Sequence, residues 1–152
     1  MRNDAARRRV SEGMGAMQRP GSVLVVDDQV DIVELVVDFL RDEGYRVSGV
    51  TDGATALSVI ESQRPVMLLL DMFMPHMNGV ELWDYIQRQD LADIAVVLMT
   101  ASPTMAEGLL PQEPADYLAK PFDLDQLLAC VARYVRREDA SPTSPPALPL
   151  SA

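Results

Sequence analysis

Residues 66–71 read VMLLLD: five large apolar residues in a row, then an aspartate. A half-buried strand alternates apolar with polar residues, and an amphipathic helix spaces its apolar residues three and four apart. This run does neither. Unbroken apolar character over so short a length is expected of a central strand buried on both faces, and so of a parallel sheet between two helical layers. Working outward, SVLVV at 22–26 is a second such run and stops abruptly at Asp27 and Asp28. Residues 94–99 make a third, ending at Thr100, and residues 115–119 a shorter one ending at Lys120 and Pro121. Residues 45–50 complete a set of strand-like segments.

Helical patterns fill the gaps. Ile32, Val33, Val36, Phe39 and Leu40 recur at helical spacing until Gly44, a natural stop. Gly53–Gln63 reads as a helix that ends before Pro65, and residues 78–89 as another. A short helix is expected at 104–110, ahead of Pro111 and Pro114. Asp123 can cap a final helix, with Gln126 as capping-box partner and Leu124, Leu127, Leu128, Val131 and Val135 as its core stripe. Five strands alternating with five helices predict an α/β domain with a parallel sheet covered on both faces.

The chain has 152 residues and a formal charge of −10, from 13 Lys+Arg against 23 Asp+Glu. Residues 1–20 carry five arginines against Asp4 and Glu12, a net +3, and read as a disordered basic arm. Residues 138–152, EDASPTSPPALPLSA, hold four prolines and a net −2, and read as a disordered Pro-rich tail. Subtracting both leaves −11 on residues 21–137, the expected folded domain. That acidity argues against nucleic acid as a partner, because nonspecific binding rests on basic patches. One cysteine, Cys130, permits no internal disulfide and suits a reducing compartment; with His76 it is too little for a His/Cys zinc site. No apolar run approaches the roughly 20 residues that span a bilayer, and no signal-like segment opens the sequence. A soluble cytoplasmic protein without a membrane partner is expected, and with no room after residue 137 for an output domain it is expected to stand alone.

Ligands of open α/β sheets bind beyond the carboxyl ends of the strands. There the sequence places Asp27, Asp28 and Asp71, the hydroxyl of Thr100 and the amine of Lys120, the one lysine in the chain. Three carboxylates repel one another unless a cation joins them, and an all-oxygen donor set suits Mg²⁺ with a phosphate in its shell. A lysine can neutralise phosphoryl oxygens and a threonine can hydrogen-bond one. Together they point to phosphoryl transfer onto a carboxylate.

At these residues the sequence resembles the receiver domain of bacterial two-component response regulators. The resemblance rests on VLVVDDQ at 23–29, LLLDMFMPHMNG at 68–79, VLMTAS at 97–102 and DYLAKPF at 116–122. It implies a flavodoxin-like (βα)5 fold with strand order 2-1-3-4-5. By the same resemblance Asp71 is the phosphoacceptor, and the donor is a phosphohistidine on a histidine kinase or histidine phosphotransfer protein. Asp28 corresponds to the direct Mg²⁺ ligand, Asp27 to the acid acting through metal-bound water, and the backbone carbonyl of Phe73 to a further ligand. Thr100 and Lys120 correspond to the phosphoryl contacts, and Tyr117 to the aromatic that turns inward as Thr100 moves. The Lys120–Pro121 peptide is expected to be cis. What is implied is a phosphoacceptor with self-catalysed phosphotransfer, not an enzyme, acting on an unidentified protein target.

The sequence departs from that pattern in two places. Pro103, Pro111 and Pro114 with Gly108 leave at most two turns for a fourth helix, so a remodelled, mobile partner face is expected. Phe73, two residues after Asp71, is expected to shield the acyl phosphate and slow self-dephosphorylation. His76, after Pro75, reads as an exposed loop residue, Cys130 as a small core residue, and Trp83 as either core or partner surface. Two other functions remain in view. One is an interaction domain that ignores phosphorylation; the other is a phosphatase of the haloacid dehalogenase type, which needs a second Asp where Phe73 stands.

Overall fold

The computed structural model describes residues 20–72, 74, 79–89, 93–110 and 114–137. The expected arm and tail, and Phe73 and His76, lie outside the described residues. Strands and helices alternate: β1 (Ser22–Val26), α1 (Val30–Asp42), β2 (Arg46–Val50), α2 (Gly53–Gln63), β3 (Met67–Asp71), α3 (Gly79–Arg88), β4 (Ala95–Thr100), α4 (Pro103–Leu109), β5 (Asp116–Ala119) and α5 (Leu124–Tyr134). Every ladder is parallel and the sheet order is β2-β1-β3-β4-β5, as the resemblance implied.

The apolar runs explain the layers. Successive strand residues point to opposite faces, so a strand covered on both sides needs large apolar residues at every position. Val23, Val25, Met67, Leu69, Val97 and Met99 face one cluster with Val33, Val36 and Leu40 of α1 and Leu127 and Val131 of α5. Leu24, Val26, Leu68, Leu70, Val96 and Leu98 face the other, with Ala56 and Ile60 of α2 and Leu82, Trp83 and Ile86 of α3. Leu68, Leu69 and Leu70 have no solvent exposure, and burying each contributes roughly 1.5–3 kcal/mol.

Local signals set the helix ends. Asp52 caps α2 by accepting from the Thr55 N–H at 2.7 Å. Gly44 takes a φ of +99° just after α1, and Arg64 a left-handed φ of +50° before Pro65. The α5 capping box is present, with Asp123 Oδ1 accepting from Gln126 N at 2.7 Å and Gln126 Oε1 accepting from Asp123 N at 2.9 Å. Two side-chain placements sharpen the sequence reading. Trp83 is a core residue. Leu124, expected in the core stripe, is 36% exposed, because helical side chains lean toward the amino terminus and one in the first turn leans past the sheet. Leu127, Val131 and, just past the end of α5, Val135 are buried as expected, and Cys130 packs with them.

Gly49 of β2 marks the close approach of α1 to the sheet. A Cβ there would lie 2.4 Å from Val33 Cγ1 and 2.9 Å from Val37 Cγ2, on stiff side chains of the core. Gly49→Ala is therefore expected to destabilise the fold by about 1–3 kcal/mol in urea unfolding. Gly108, in α4, has nothing within 4 Å of such a Cβ, and Gly108→Ala is expected to stabilise by up to about 1 kcal/mol in the same assay.

Candidate functional site

The carboxyl ends of β1, β3, β4 and β5 bring the predicted polar residues together. Asp27 follows β1, beside the point where the chain order reverses between β1 and β3. Asp71 is the last residue of β3 and Thr100 the last of β4, while Lys120 directly follows β5. Asp27 is fully buried, Asp71 and Thr100 nearly so, and Asp28 is exposed. Each aspartate offers one carboxylate oxygen to a cluster in which all three atoms lie within 4.8 Å of one another.

Lys120 reaches into this cluster. Its Nζ donates to Asp27 Oδ2 at 2.8 Å and lies 3.5 Å from Asp71 Oδ1. Burial pulls the lysine pKa down, but the hydrogen bond to Asp27 and the charges of Asp71 and Asp27 outweigh it, and the net shift is upward from 10.5. The ammonium is charged at neutral pH. One positive charge against three carboxylates still leaves an excess of negative charge, so the oxygens are suited to a divalent cation, which Asp28 makes reachable from solvent.

The backbone holds these groups in place. The Lys120 N–H donates to Thr100 O at 2.8 Å, tying the end of β5 to β4. Asp27 Oδ1 accepts from the Gln29 N–H at 3.0 Å, so one oxygen of Asp27 starts the turn into α1 while the other holds Lys120. Thr100 Oγ1 accepts from the Ser102 N–H at 3.1 Å, which leaves its own proton to donate. Ser102 in turn caps α4 by accepting from Met105 N–H at 3.3 Å. Sequence reasoning assigned neither role; the Ser102-Pro103 pair, a cap followed by proline at the first helical position, was the available signal.

Tyr117 is half-buried, packs on the cluster under α2 and α3, and keeps its hydroxyl out of solvent. It pairs with Leu98 while Ala119 pairs with Thr100, so Tyr117 lies on the same sheet face as Thr100, two residues along the ladder. Phe73, expected to add a backbone carbonyl to the metal shell, lies outside the described residues. Cys130 is remote from the cluster, and burial pushes its thiol up to about 12, so it is inert near neutral pH.

A family model described as the response regulator receiver domain matches residues 23–132. The chain belongs to this family. Among curated relatives, the DNA-binding response regulator MtrA of Mycobacterium tuberculosis (strain ATCC 25618 / H37Rv) is 33% identical over 122 residues, covering 79% of this chain and 53% of MtrA. Response regulator MprA of Mycobacterium sp. (strain KMS) is 35% identical over 130 residues, covering 83% and 56%. The chain thus spans about half the length of the curated relatives it matches. Among solved structures, chemotaxis protein CheY4 of Vibrio cholerae superposes with a TM-score of 0.70 at 28% identity, covering 77% of this chain and 100% of that one. The receiver domain of NtrX from Brucella abortus gives 0.67 at 31%, covering 74% and 96%.

These relatives correct one expectation. Nucleic acid was excluded as a partner because residues 21–137 are acidic, yet MtrA is named a DNA-binding regulator. A domain's own charge concerns only direct contact by its surface and does not bear on what a protein almost twice as long binds. Regarding membranes, no helix among the described residues is long and apolar enough to cross one.

The raised Lys120 pKa has a pH signature. Because the folded value lies above the unfolded one, the stabilisation is complete below about pH 10.5 and is lost as pH rises through the folded value. The stability gap between wild type and Lys120→Met, from urea unfolding at a series of pH values, is expected to be constant from neutrality to about pH 9.5. It should shrink above about pH 10.5. A gap that already closes near pH 8 would contradict the assignment.

Proposed function

We propose that the protein is a phosphorylation-controlled signalling switch in which Asp71 accepts a phosphoryl group from a histidine kinase or histidine phosphotransfer protein. What supports this most is the placement of the Lys120 ammonium between Asp27 and Asp71, with a third carboxylate from Asp28 at the mouth. In the transfer, an oxygen of Asp71 bonds to phosphorus as the P–N bond to the donor imidazole breaks. The bonding pair stays on that nitrogen, which takes up a proton, and the product is an acyl phosphate.

Each residue has a part in that step. Lys120 balances charge on the phosphoryl oxygens, and its short tether to Asp27 holds it in position before the donor arrives. Thr100 donates its hydroxyl to a phosphoryl oxygen, and Tyr117, on the same sheet face, responds to that movement. Asp27, Asp28 and Asp71, with the Phe73 carbonyl, would hold Mg²⁺, which when bound neutralises and orients the phosphoryl group. A stoichiometric phosphoacceptor of this kind serves as a signal carrier in the cytoplasm, where its thiol stays reduced. Its output is a change in protein contacts, and the likeness to MtrA makes control of DNA binding one output open to it.

Acetyl phosphate with Mg²⁺ is expected to add one phosphoryl group, detected by intact mass. Asp71→Asn should abolish it, and Lys120→Met should slow it by about 10²-fold, the order seen when one charge-stabilising group is lost. Equal labelling of Asp71→Asn would refute the assignment. Sustained turnover of a phosphomonoester would favour the phosphatase reading instead.

Mg²⁺ itself should act on stability. At about a hundredfold its dissociation constant it is expected to stabilise the wild type by about 2.7 kcal/mol through mass action. Asp28→Asn should be more stable than wild type without Mg²⁺, since it removes one of three like charges, and should lose most of the Mg²⁺-dependent gain. Thermal melts with and without Mg²⁺ measure both effects.

A further inference from the structure

An open sheet ends in two outer strands, and the outer side of each is a template on which another chain can pair. Here those strands are β2 and β5. The direction of hydrogen bonding alternates along a strand, so the bonds made inward show which positions turn outward. Val50 O accepts from the Asp27 N–H at the end of β1, which turns positions 46, 48 and 50 inward and Val47 and Gly49 outward. The Lys120 N–H donates to Thr100 O of β4, which turns Tyr117 and Ala119 of β5 outward.

On each strand a side chain already covers one of these outward positions. Arg41, in the last turn of α1, donates from Nε and Nη2 to Val47 O at 3.2 and 2.9 Å, using both lone pairs of that carbonyl. On β5, Asp116 Oδ1 accepts from the Tyr117 N–H at 2.8 Å. Asp116 is itself gripped from the last turn of α5: Arg133 Nη1 donates to its Oδ2, and the Tyr134 hydroxyl donates to Ala115 O at 3.1 Å. Buried residues hold both helices, Val36 and Leu40 in α1, and Leu127 and Val131 in α5. The covers are therefore placed by the core and not by the carboxylate cluster.

We infer that Arg41, and the clasp of Asp116 with Arg133 and Tyr134, close the two outer strands against strand addition by a second copy of this chain. A second copy brings an outer strand that always matches. About a two-fold axis centred on Ser48, Val47 of one copy exchanges bonds with Gly49 of the other, and Gly49 with Val47. Arg41 occupies the Val47 carbonyl in both copies, which removes half of those bonds. The same holds about Leu118 of β5, where Asp116 occupies the Tyr117 N–H. One cover is enough for each strand because β2 has five residues and β5 four, which leaves so few outward positions that no register survives the loss of one.

Amide hydrogen exchange of the full chain tests this, followed over about a hundredfold range of protein concentration. In the wild type, exchange at Val47, Gly49 and Ala119 is expected to be independent of concentration. Arg41→Met keeps an apolar stem and removes the fork. Its Val47 and Gly49 amides should slow by about tenfold over that range, because the monomer share of a dimer falls as the square root of concentration. Asp116→Ala should do the same at Tyr117 and Ala119, whereas Asp116→Asn keeps an acceptor for the Tyr117 N–H and should match the wild type. Adding Ala119→Pro to Asp116→Ala removes the other outward donor and should abolish the effect. Protection of Leu68, Leu69 and Leu70 reports that each variant is folded, and Asp116→Ala tests β5 whatever stability is lost with Arg41. Concentration-independent exchange in both variants would overturn the proposal. So would wild-type amides at these positions whose exchange already slows with concentration.

Discussion

The ammonium of Lys120, 2.8 Å from one carboxylate and 3.5 Å from another, is the contact on which the site depends. Asp27 has no solvent exposure, and a buried carboxylate without a partner is costly. Yet Asp27 and Lys120 are 93 residues apart in the chain. Their meeting requires β1, β3, β4 and β5 to end at the same edge and in that lateral order. The ladder supplies this: β1 pairs with β3, β3 with β4 and β4 with β5, each in parallel register.

Parallel register in turn follows from burial. A strand covered on both faces can carry polar groups only where it emerges, so polarity in this sequence is forced to the ends of its apolar runs. One end of the sheet gathers acids and a lysine. The other gathers arginines from the ends of α1 and α2 and the start of β2. The gathering of the site at one edge is a consequence of one constraint on the middle of the strands.

How much could be read without coordinates follows the same logic. β1, β3 and β4 were legible because uninterrupted apolar runs have few other uses, and the site was legible because it sits where they stop. Helix ends were legible where local chemistry decides them, as at Asp123 and Gln126. Less legible was anything decided by direction in space. Leu124 fits the apolar spacing of α5 yet leans outward, and Trp83 fits either surface or core until α3 is laid on the sheet. The cap made by Ser102 had a local signal in the Ser102-Pro103 pair, whereas the backbone N–H that Ser102 gives to Thr100 had none. The partner question was misjudged for a different reason: net charge describes a surface, and a regulator's ligands need not touch the domain that receives the signal.

Why lysine, in a chain whose other twelve cations are arginine? Arg41 shows what a guanidinium does well, acting as a fork with two nitrogens on Val47 O. At residue 120 a fork would serve poorly. The cation must approach Asp27 and Asp71 from one point, since their oxygens lie 2.8 and 3.5 Å away at the ends of different strands. A planar guanidinium locks onto one carboxylate with paired hydrogen bonds, and those bonds would have to break before a third group could share the charge. An ammonium is compact and rotates three donors about one axis, so it can keep Asp27 while turning a donor toward whatever Asp71 carries. Its longer contact, to Asp71, is the one left loose enough to change. On the proposed function, the exception in the composition marks the place where a cation has to serve an acceptor that is not always the same.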